Sequence, residues 1–180
     1  MNGIYILQVT TGREQYFCTH ARKLLHPEEN IRLIIPKREM WIRKQGKMFR
    51  SVKPIFPGYV FISGEQVSES AQITCRRCPG YIRFLNRDGG NLKPVSKSDR
   101  LLITQLINHG EVAGLSKVTF DKNKRIRALS GPLLGCEGKI IKVDRRKQRA
   151  KVKFLLNGKT FLIDFQYEEI ELLESNQPGA

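Results

Sequence analysis

The dipeptide Asn157-Gly158 constrains this chain more than any other feature, because it separates two runs that read as strands, Val152-Lys153-Phe154-Leu155-Leu156 and Thr160-Phe161-Leu162-Ile163. Asn-Gly tolerates the two positive φ angles of a type I′ turn, so the runs are expected to pair as a tight antiparallel hairpin of fixed register. The texture around it is uniform. After Phe120, segments 124–129, 138–144, 149–156, 159–165 and 168–173 read as short strands divided by turns, which makes a small five-stranded barrel. Gly131-Pro132 suits a tight turn, and Gly138 is expected where a side chain would crowd a neighbouring backbone.

Upstream the pattern alternates between strand and helix. Residues 4–10 read as a buried strand ended by Thr11-Gly12, followed by a helix carrying Phe17, Ala21, Leu24 and Leu25 on one face and closed by Pro27. Residues 31–36 and 39–43 read as a strand broken by Pro36. The stretch 43–53, with Arg43, Lys44, Lys47, Arg50 and Lys53 around Gly46, reads as a basic hairpin tip. Phe56-Pro57-Gly58-Tyr59-Val60-Phe61-Ile62 turns on Pro-Gly and continues as a central strand. A short helix over 67–73, a strand over 81–85 ending at Asp88-Gly89-Gly90, and a third helix capped by Ser96 and ended by Gly110 complete the half. The fold class is therefore α+β: an α/β sandwich with an antiparallel or mixed sheet, then the barrel. Periodicity lapses over 109–119, so the expected division is a domain over 1–108, a linker over 109–119, a second domain over 120–175 and a tail over 176–180.

Charge narrows the function. The 180 residues carry 32 Lys plus Arg against 17 Asp plus Glu, a net +15 with a pI near 10.0. Such a surface seeks polyanions, nucleic-acid phosphate first among them. A membrane is the competitor, but no apolar run approaches the ~20 residues of a spanning helix and Met1 to Val9 lacks a signal pattern, so a cytoplasmic chain without a membrane partner is expected. Cys18, Cys75, Cys78 and Cys136 are too few and scattered for a disulfide framework. Cys75-Arg76-Arg77-Cys78 has the spacing of half a zinc site or a redox motif, yet His20, His26 and His109 show no paired spacing, so the bland reading is two half-buried thiols near a strand start. No Ser-His-Asp order, phosphate-cradling glycine motif or paired carboxylates appears, and neither catalytic residues, cofactor nor metal is expected.

Three segments carry a resemblance. Tyr5-Ile6-Leu7-Gln8-Val9 with Thr11-Gly12-Arg13-Glu14, then Phe56-Pro57-Gly58-Tyr59-Val60, then Cys78-Pro79-Gly80-Tyr81-Ile82-Arg83-Phe84-Leu85 resemble the N-terminal domain of NusG-family factors. The run Ile126 to Asp144, with the strand and hairpin after it, resembles that family's KOW domain, an SH3-like barrel. The resemblance implies a transcription elongation factor whose first domain docks an apolar depression onto the clamp helices of RNA polymerase. The matching positions are Ile4, Phe56, Tyr59 and Phe84, with Tyr5 and Pro57 beside them. Ile4 stands where bacterial members often carry Trp, which implies a smaller contact. The bland reading of each aromatic is that it fills the core.

The family's KOW domain commonly engages a termination factor or ribosomal protein through an aromatic in the last hairpin turn, and Asn157-Gly158-Lys159 has none. Charge points to RNA instead, with 13 Lys plus Arg against three acids between Phe120 and Lys159, and acids such as Glu168, Glu169, Glu171 and Glu174 only later. Arg149, Lys151 and Lys153 should share one face beside the turn carrying Arg145, Arg146 and Lys147. Lys124, Arg127, Lys139 and Lys142 complete the candidate RNA-binding set. With few aromatics there, recognition of a folded nascent RNA hairpin through phosphates and groove shape is expected over base stacking. This is similar to LoaP-type antiterminators, specialised NusG paralogues. The alternatives are a housekeeping NusG-type factor and a ribosome-associated KOW protein. The non-template DNA strand is a further expected contact, and a monomer the expected state.

Overall fold

The computed structural model describes residues 3–170 apart from His109 and the side chain of Arg87. The leading half opens with β1 (Gly3–Val9) and α1 (Glu14–Leu24), followed by β2 (Arg32–Ile34) and the long pair β3 (Lys37–Lys44) and β4 (Lys47–Pro54). β5 (Tyr59–Gly64), α2 (Glu69–Arg77), β6 (Tyr81–Phe84), the short hairpin β7 (Arg87–Asp88) and β8 (Asn91–Leu92), and α3 (Lys97–Ile107) complete it. The chain continues through β9 (Val112–Ala113), β10 (Ser116–Phe120), β11 (Ile126–Ser130), β12 (Ile140–Asp144), β13 (Arg149–Leu156) and β14 (Lys159–Glu169). This is the expected α+β architecture.

The central sheet has the order β2-β5-β1-β6, and each neighbouring pair is antiparallel. Because strand side chains alternate, β1 serves two cores at once. Tyr5, Leu7 and Val9 face a core with Phe17, Cys18 and Ala21 of α1 and Ala71 and Cys75 of α2. Ile4 and Ile6 face the other core, where α3 contributes Leu102, Ile103 and Leu106 and the barrel contributes Val152, Phe154, Ile163 and Phe165. Ser96 caps α3 as expected, its hydroxyl accepting from the Asp99 N–H at 3.1 Å.

The second half is a curled five-stranded sheet of order β11-β10-β14-β13-β12. Its turn at Asn157-Gly158 has φ of 49° and 72° with Leu156 paired to Lys159, the type I′ geometry the dipeptide predicts. The strand count was right but two assignments were not. Segments 159–165 and 168–173 are one strand as far as Glu169, and 171–173 lie outside the described residues, as does the expected tail. The fifth strand is β10, inside the stretch expected to be linker, where β9 also pairs in parallel with β3. The basic stretch around Gly46 is a hairpin tip as expected, and a tight one: β3 and β4 pair through Lys44 and Lys47, leaving a two-residue turn at Gln45-Gly46. The crowded glycine is Gly131, where a Cβ would stand 2.7 Å from Ser116 Cα, whereas Gly138 faces open space.

Candidate functional site

The three segments that carried the resemblance meet at one end of β1. Glu14, buried at the start of α1, accepts from the Gly12 N–H at 3.1 Å and the Gly58 N–H at 2.6 Å. The Val9 N–H donates to the Gly58 carbonyl at 2.9 Å and the Thr10 N–H to the Gly80 carbonyl at 2.8 Å. Gly58 takes a φ of 81°, and a Cβ there would meet Thr11 Oγ1 at 2.8 Å, so only glycine fits. This knot sets the direction of the Phe56-Pro57-Gly58-Tyr59 loop. A buried carboxylate accepting two backbone N–H groups is stronger than neutral pairing, which makes the loop a rigid one.

Of the six expected docking residues, Ile4, Tyr5, Phe56, Tyr59 and Phe84 are buried and Pro57 alone is exposed. They do not form one exposed dimple. Tyr5 and Phe84 lie in the α1/α2 core, on the opposite side of the sheet from Ile4, Phe56 and Tyr59. The one-residue alternation of β1 forces this separation for Ile4 and Tyr5. What covers Phe56 and Tyr59 is the barrel. The Phe161 ring stands edge-on to Phe56 at 5.1 Å and to Tyr59 at 5.5 Å, and Phe154 lies 6.4 Å from Phe56. Sequence alternation put Phe154 and Phe161 on a hairpin but held no signal of where that hairpin would lean.

The polar fringe of this contact is crossed by side chains from both halves. Gln105 of α3 donates to the Leu134 carbonyl at 2.6 Å, and the Asn157 N–H donates to Asp99 at 3.3 Å. The Arg38 guanidinium donates to the Asp164 carbonyl, the Trp41 N–H to the Gln166 side-chain oxygen, and Arg149 to the Trp41 carbonyl at 3.4 Å. Burial lowers the Arg38 pKa, with Asp164 opposing the shift and Arg149 adding to it. Among the described residues, neither Arg38 Nε nor Arg149 Nε finds an acceptor. Two guanidiniums placed this way make a fringe less favourable than the apolar centre.

Six of the ten candidate RNA-binding cations line two hollows that share Lys142, and Lys139, Arg145, Arg146 and Lys153 line neither. Lys124, Arg127 and Lys142, with Arg125, line a cleft of about 530 Å3 between β11 and β12, the two outer strands of the curled sheet. Its floor is apolar, with Ile126, Ile140 and Val143. Arg125 belongs to this set although the sequence reading passed over it beside Lys124. Lys142, Lys147, Arg149 and Lys151 line a second hollow of about 180 Å3 with Asp144 and Asp164. Several members already have partners: Arg145 pairs with Glu169 at 2.7 Å and lies over the Phe120 ring at 4.3 Å, Lys151 sits 3.6 Å from Asp164, and Lys139 lies 5.9 Å from the Phe154 ring. Arg146 and Lys153 are exposed.

The cysteines are packing residues. All four are buried, and Cys75 and Cys78 sit at the end of α2 rather than at a strand start. Burial pushes the Cys75 thiol up to about 12 and Cys18 up to about 11, which keeps them protonated and poorly nucleophilic. Among the described residues no helix is long and apolar enough to cross a membrane.

The molecule is thus a sandwich whose aromatic loop is roofed by a cationic curled sheet. The family model described as transcription termination factor nusG matches residues 4–104. The chain belongs to the NusG family, and with it to the transcription termination and antitermination factors. It is 24% identical over 171 residues to the transcription termination/antitermination protein NusG of Pasteurella multocida, covering 93% of each chain. It is 22% identical to that of Bacillus subtilis, covering 94% of this chain and 97% of that one. A solved structure described as domain interaction in Thermotoga maritima NusG superposes with a TM-score of 0.58 at 21% identity, covering 92% of this chain and 94% of that one, and so shares the fold.

Proposed function

We propose that this chain is a cytoplasmic antitermination factor that rides on RNA polymerase, with its apolar face closed by its own barrel until the polymerase takes the barrel's place. Ile4, Phe56 and Tyr59, flanked by the exposed Pro57, are the docking face for the clamp helices. Tyr5 and Phe84 hold the sheet behind it. The observation that carries the reading is the Phe161 ring set edge-on against both Phe56 and Tyr59, one aromatic of the second half standing where a partner's side chain would stand. The less favourable guanidinium fringe supports a contact that can open.

Once released, the barrel recognises a folded RNA hairpin in the nascent transcript through the cleft between β11 and β12. Its lining of four cations and one acid, Glu137, around apolar side chains suits phosphates at the mouth and a base edge or sugar beneath. The aromatic-free turn at Asn157-Gly158, pinned to Asp99, favours RNA over protein coupling and fits a LoaP-type specialist.

The test is capture of core RNA polymerase by the immobilised full-length chain. Phe161→Ser is expected to raise capture about tenfold, a contact worth roughly 1.4 kcal/mol, and adding Phe56→Ala is expected to abolish the gain. Equal capture by the native chain and Phe161→Ser removes the closed-face reading; no capture by either removes the polymerase reading. For the barrel, Arg125→Ala with Lys142→Ala should weaken a cognate leader hairpin more than an unrelated one of equal length. Equal weakening reduces the cleft to nonspecific electrostatics.

A further inference from the structure

We propose that the free edge of β4 is a docking site for a protein partner, which adds an extended acidic segment to the sheet as a further antiparallel strand. The hairpin's own hydrogen bonds identify its spare groups. Its turn, with Gln45 and Gly46 at φ of 50° and 78°, closes on the pair Lys44 and Lys47, and at its root the Ile55 N–H donates to the Pro36 carbonyl at 2.7 Å. Opposed residues of an antiparallel pair alternate between exchanging hydrogen bonds and facing away. Lys44 with Lys47, Ile42 with Phe49, Met40 with Ser51 and Arg38 with Lys53 therefore bond to each other, while the backbone groups of Lys37 and Trp41 on β3, and of Met48, Arg50 and Val52 on β4, point outward.

The two outward rows differ. On β3 the Lys37 N–H donates to the Glu111 carbonyl at 2.7 Å, the Trp41 N–H donates to Gln166, and the Trp41 carbonyl accepts from Arg149 at 3.4 Å, so this edge is covered. β4 is the outer strand of its sheet, and among the described residues the N–H groups of Met48, Arg50 and Val52 find no acceptor. They alternate along an eight-residue strand whose register never shifts.

Side chains select the occupant. Met48 and Val52, 52% and 42% exposed, flank Arg50 on one face, and Phe49, 47% exposed, lies between Lys47 and Lys53 on the other. Between Lys37 and Pro54 there are seven Lys plus Arg against one acid, Glu39, which Arg50 holds at 2.7 Å while keeping donors to spare. Cations on a bare edge repel the same edge of a second copy, and pairing centred on Arg50 would set Lys47 against Lys53. An acidic strand meets no such repulsion. Its carboxylates pair with Lys47, Arg50 and Lys53, its aliphatic side chains cover Met48, Phe49 and Val52, and its backbone satisfies the three spare N–H groups. Protection against self-pairing explains the cations alone, whereas an acidic and apolar partner strand explains the cations and the exposed apolar side chains together. The edge lies apart from the Phe56 loop and from the cleft between β11 and β12, so this proposal does not rest on the function proposed above.

The probe is the peptide acetyl-EVTEVVE-amide, whose order complements residues 47–53 when it runs antiparallel to them, titrated into the full-length chain. Trp41, the one tryptophan, stands opposite Arg50 and reports binding by its fluorescence. With the peptide at about ten times its Kd, hydrogen exchange at the Met48, Arg50 and Val52 amides should slow about tenfold. N-methylation of the peptide's second and fourth residues, whose N–H groups face β4, should weaken binding about tenfold or more, and N-methylation of its third and fifth, whose N–H groups face away, less than about threefold. Lys47→Glu with Lys53→Glu, both exposed positions, should weaken binding about tenfold with thermal stability retained. No slowing of exchange, equal binding of acetyl-KVTKVVK-amide, equal effects of the two N-methylation patterns, protection of these amides by dT12 and not by the peptide, or a dimer whose β4 amides are protected without peptide would each overturn the proposal.

Discussion

The two faces of the central sheet bury their side chains equally and for different reasons. On one face Tyr5, Leu7 and Val9 are sealed by α1 and α2, and every contributor to that core comes from the leading half. On the other face Ile4, Phe56 and Tyr59 are just as inaccessible, but part of their cover is Phe154, Ile163 and Phe165, which lie more than ninety residues further along the chain. The first cover is apolar and continuous with the fold of the half itself; the second is fringed by Arg38, Arg149 and Gln166. Burial alone therefore does not distinguish scaffold from occupied site. What differs is the source of the cover: on the second face Ala150, Val152, Phe154 and Phe165 of the barrel pack in one cluster with Ile4, Ile6 and Phe56 of the sandwich.

The largest expected effect breaks this comparison most directly. Phe17→Ala empties the α1/α2 core and should cost about 3–5 kcal/mol in denaturant unfolding. Phe161→Ala removes a half-buried ring packed on the rim of the shared core and should cost less than half as much, since less of its surface is buried than that of Phe17. Equal losses would mean that the two faces are one cooperative core.

Alkali offers a second, smaller discrimination. Cys18 and Cys75 belong to the helix face, and their thiols are held at about 11 and about 12 against an ordinary 9.0. Folding therefore favours the protonated thiol, so this contribution is complete below pH 9 and is lost as pH rises from 9 towards 11 and 12. Stability should fall by up to ~1.4 kcal/mol per pH unit per thiol over that window, and Cys75→Ala should flatten the decline measured by denaturant titration. Cys136 sits instead beside Gln105 at the barrel junction, 3.5 Å from its amide nitrogen. Its alkylation by iodoacetamide near pH 8 should accelerate about tenfold in Phe161→Ala, the same 1.4 kcal/mol of opening, while Cys18 and Cys75 stay protected.

Local chemistry was legible where one or two residues determine it. Asn157-Gly158 set the register of β13 and β14, Ser96 marked α3, and the alternation along β13 separated Arg149, Lys151 and Lys153 from the buried Ala150, Val152 and Phe154. The β10 strand was missed because Ser-Lys-Val-Thr-Phe lies next to glycines that read as linker, and its burial comes from pairing with β14, some fifty residues away. The hairpin tip around Gly46 was legible, but its tightening to a two-residue turn was not, because glutamine at a φ of 50° carries no turn signature. Most consequentially, the resemblance picked out Phe56 and Tyr59 as expected docking positions but carried no sign that Phe161 of the same chain would cover them. Docking of one half on the other is a property of two shapes, and periodicity within either half does not encode it.

The smallest expected effect concerns the cations of the basic surface. Arg149 is committed to the Trp41 carbonyl and Arg145 to Glu169, so in the closed chain a phosphate must compete with an existing partner at either position. Arg125 lines the cleft between β11 and β12 and is exposed to solvent. Arg125→Ala should therefore lower the salt slope for a structured RNA by about one, whereas Arg149→Ala should change affinity less than about threefold, both read from binding isotherms over a range of salt. If Arg149→Ala proves as damaging as Arg125→Ala in the native chain but not in one whose barrel is cross-linked shut, RNA binds the opened form, and the Trp41 contact is then what RNA displaces. Strengthened RNA binding in Phe161→Ser would follow from the same linkage, because a ligand favouring the open form gains whatever free energy the closed contact gives up.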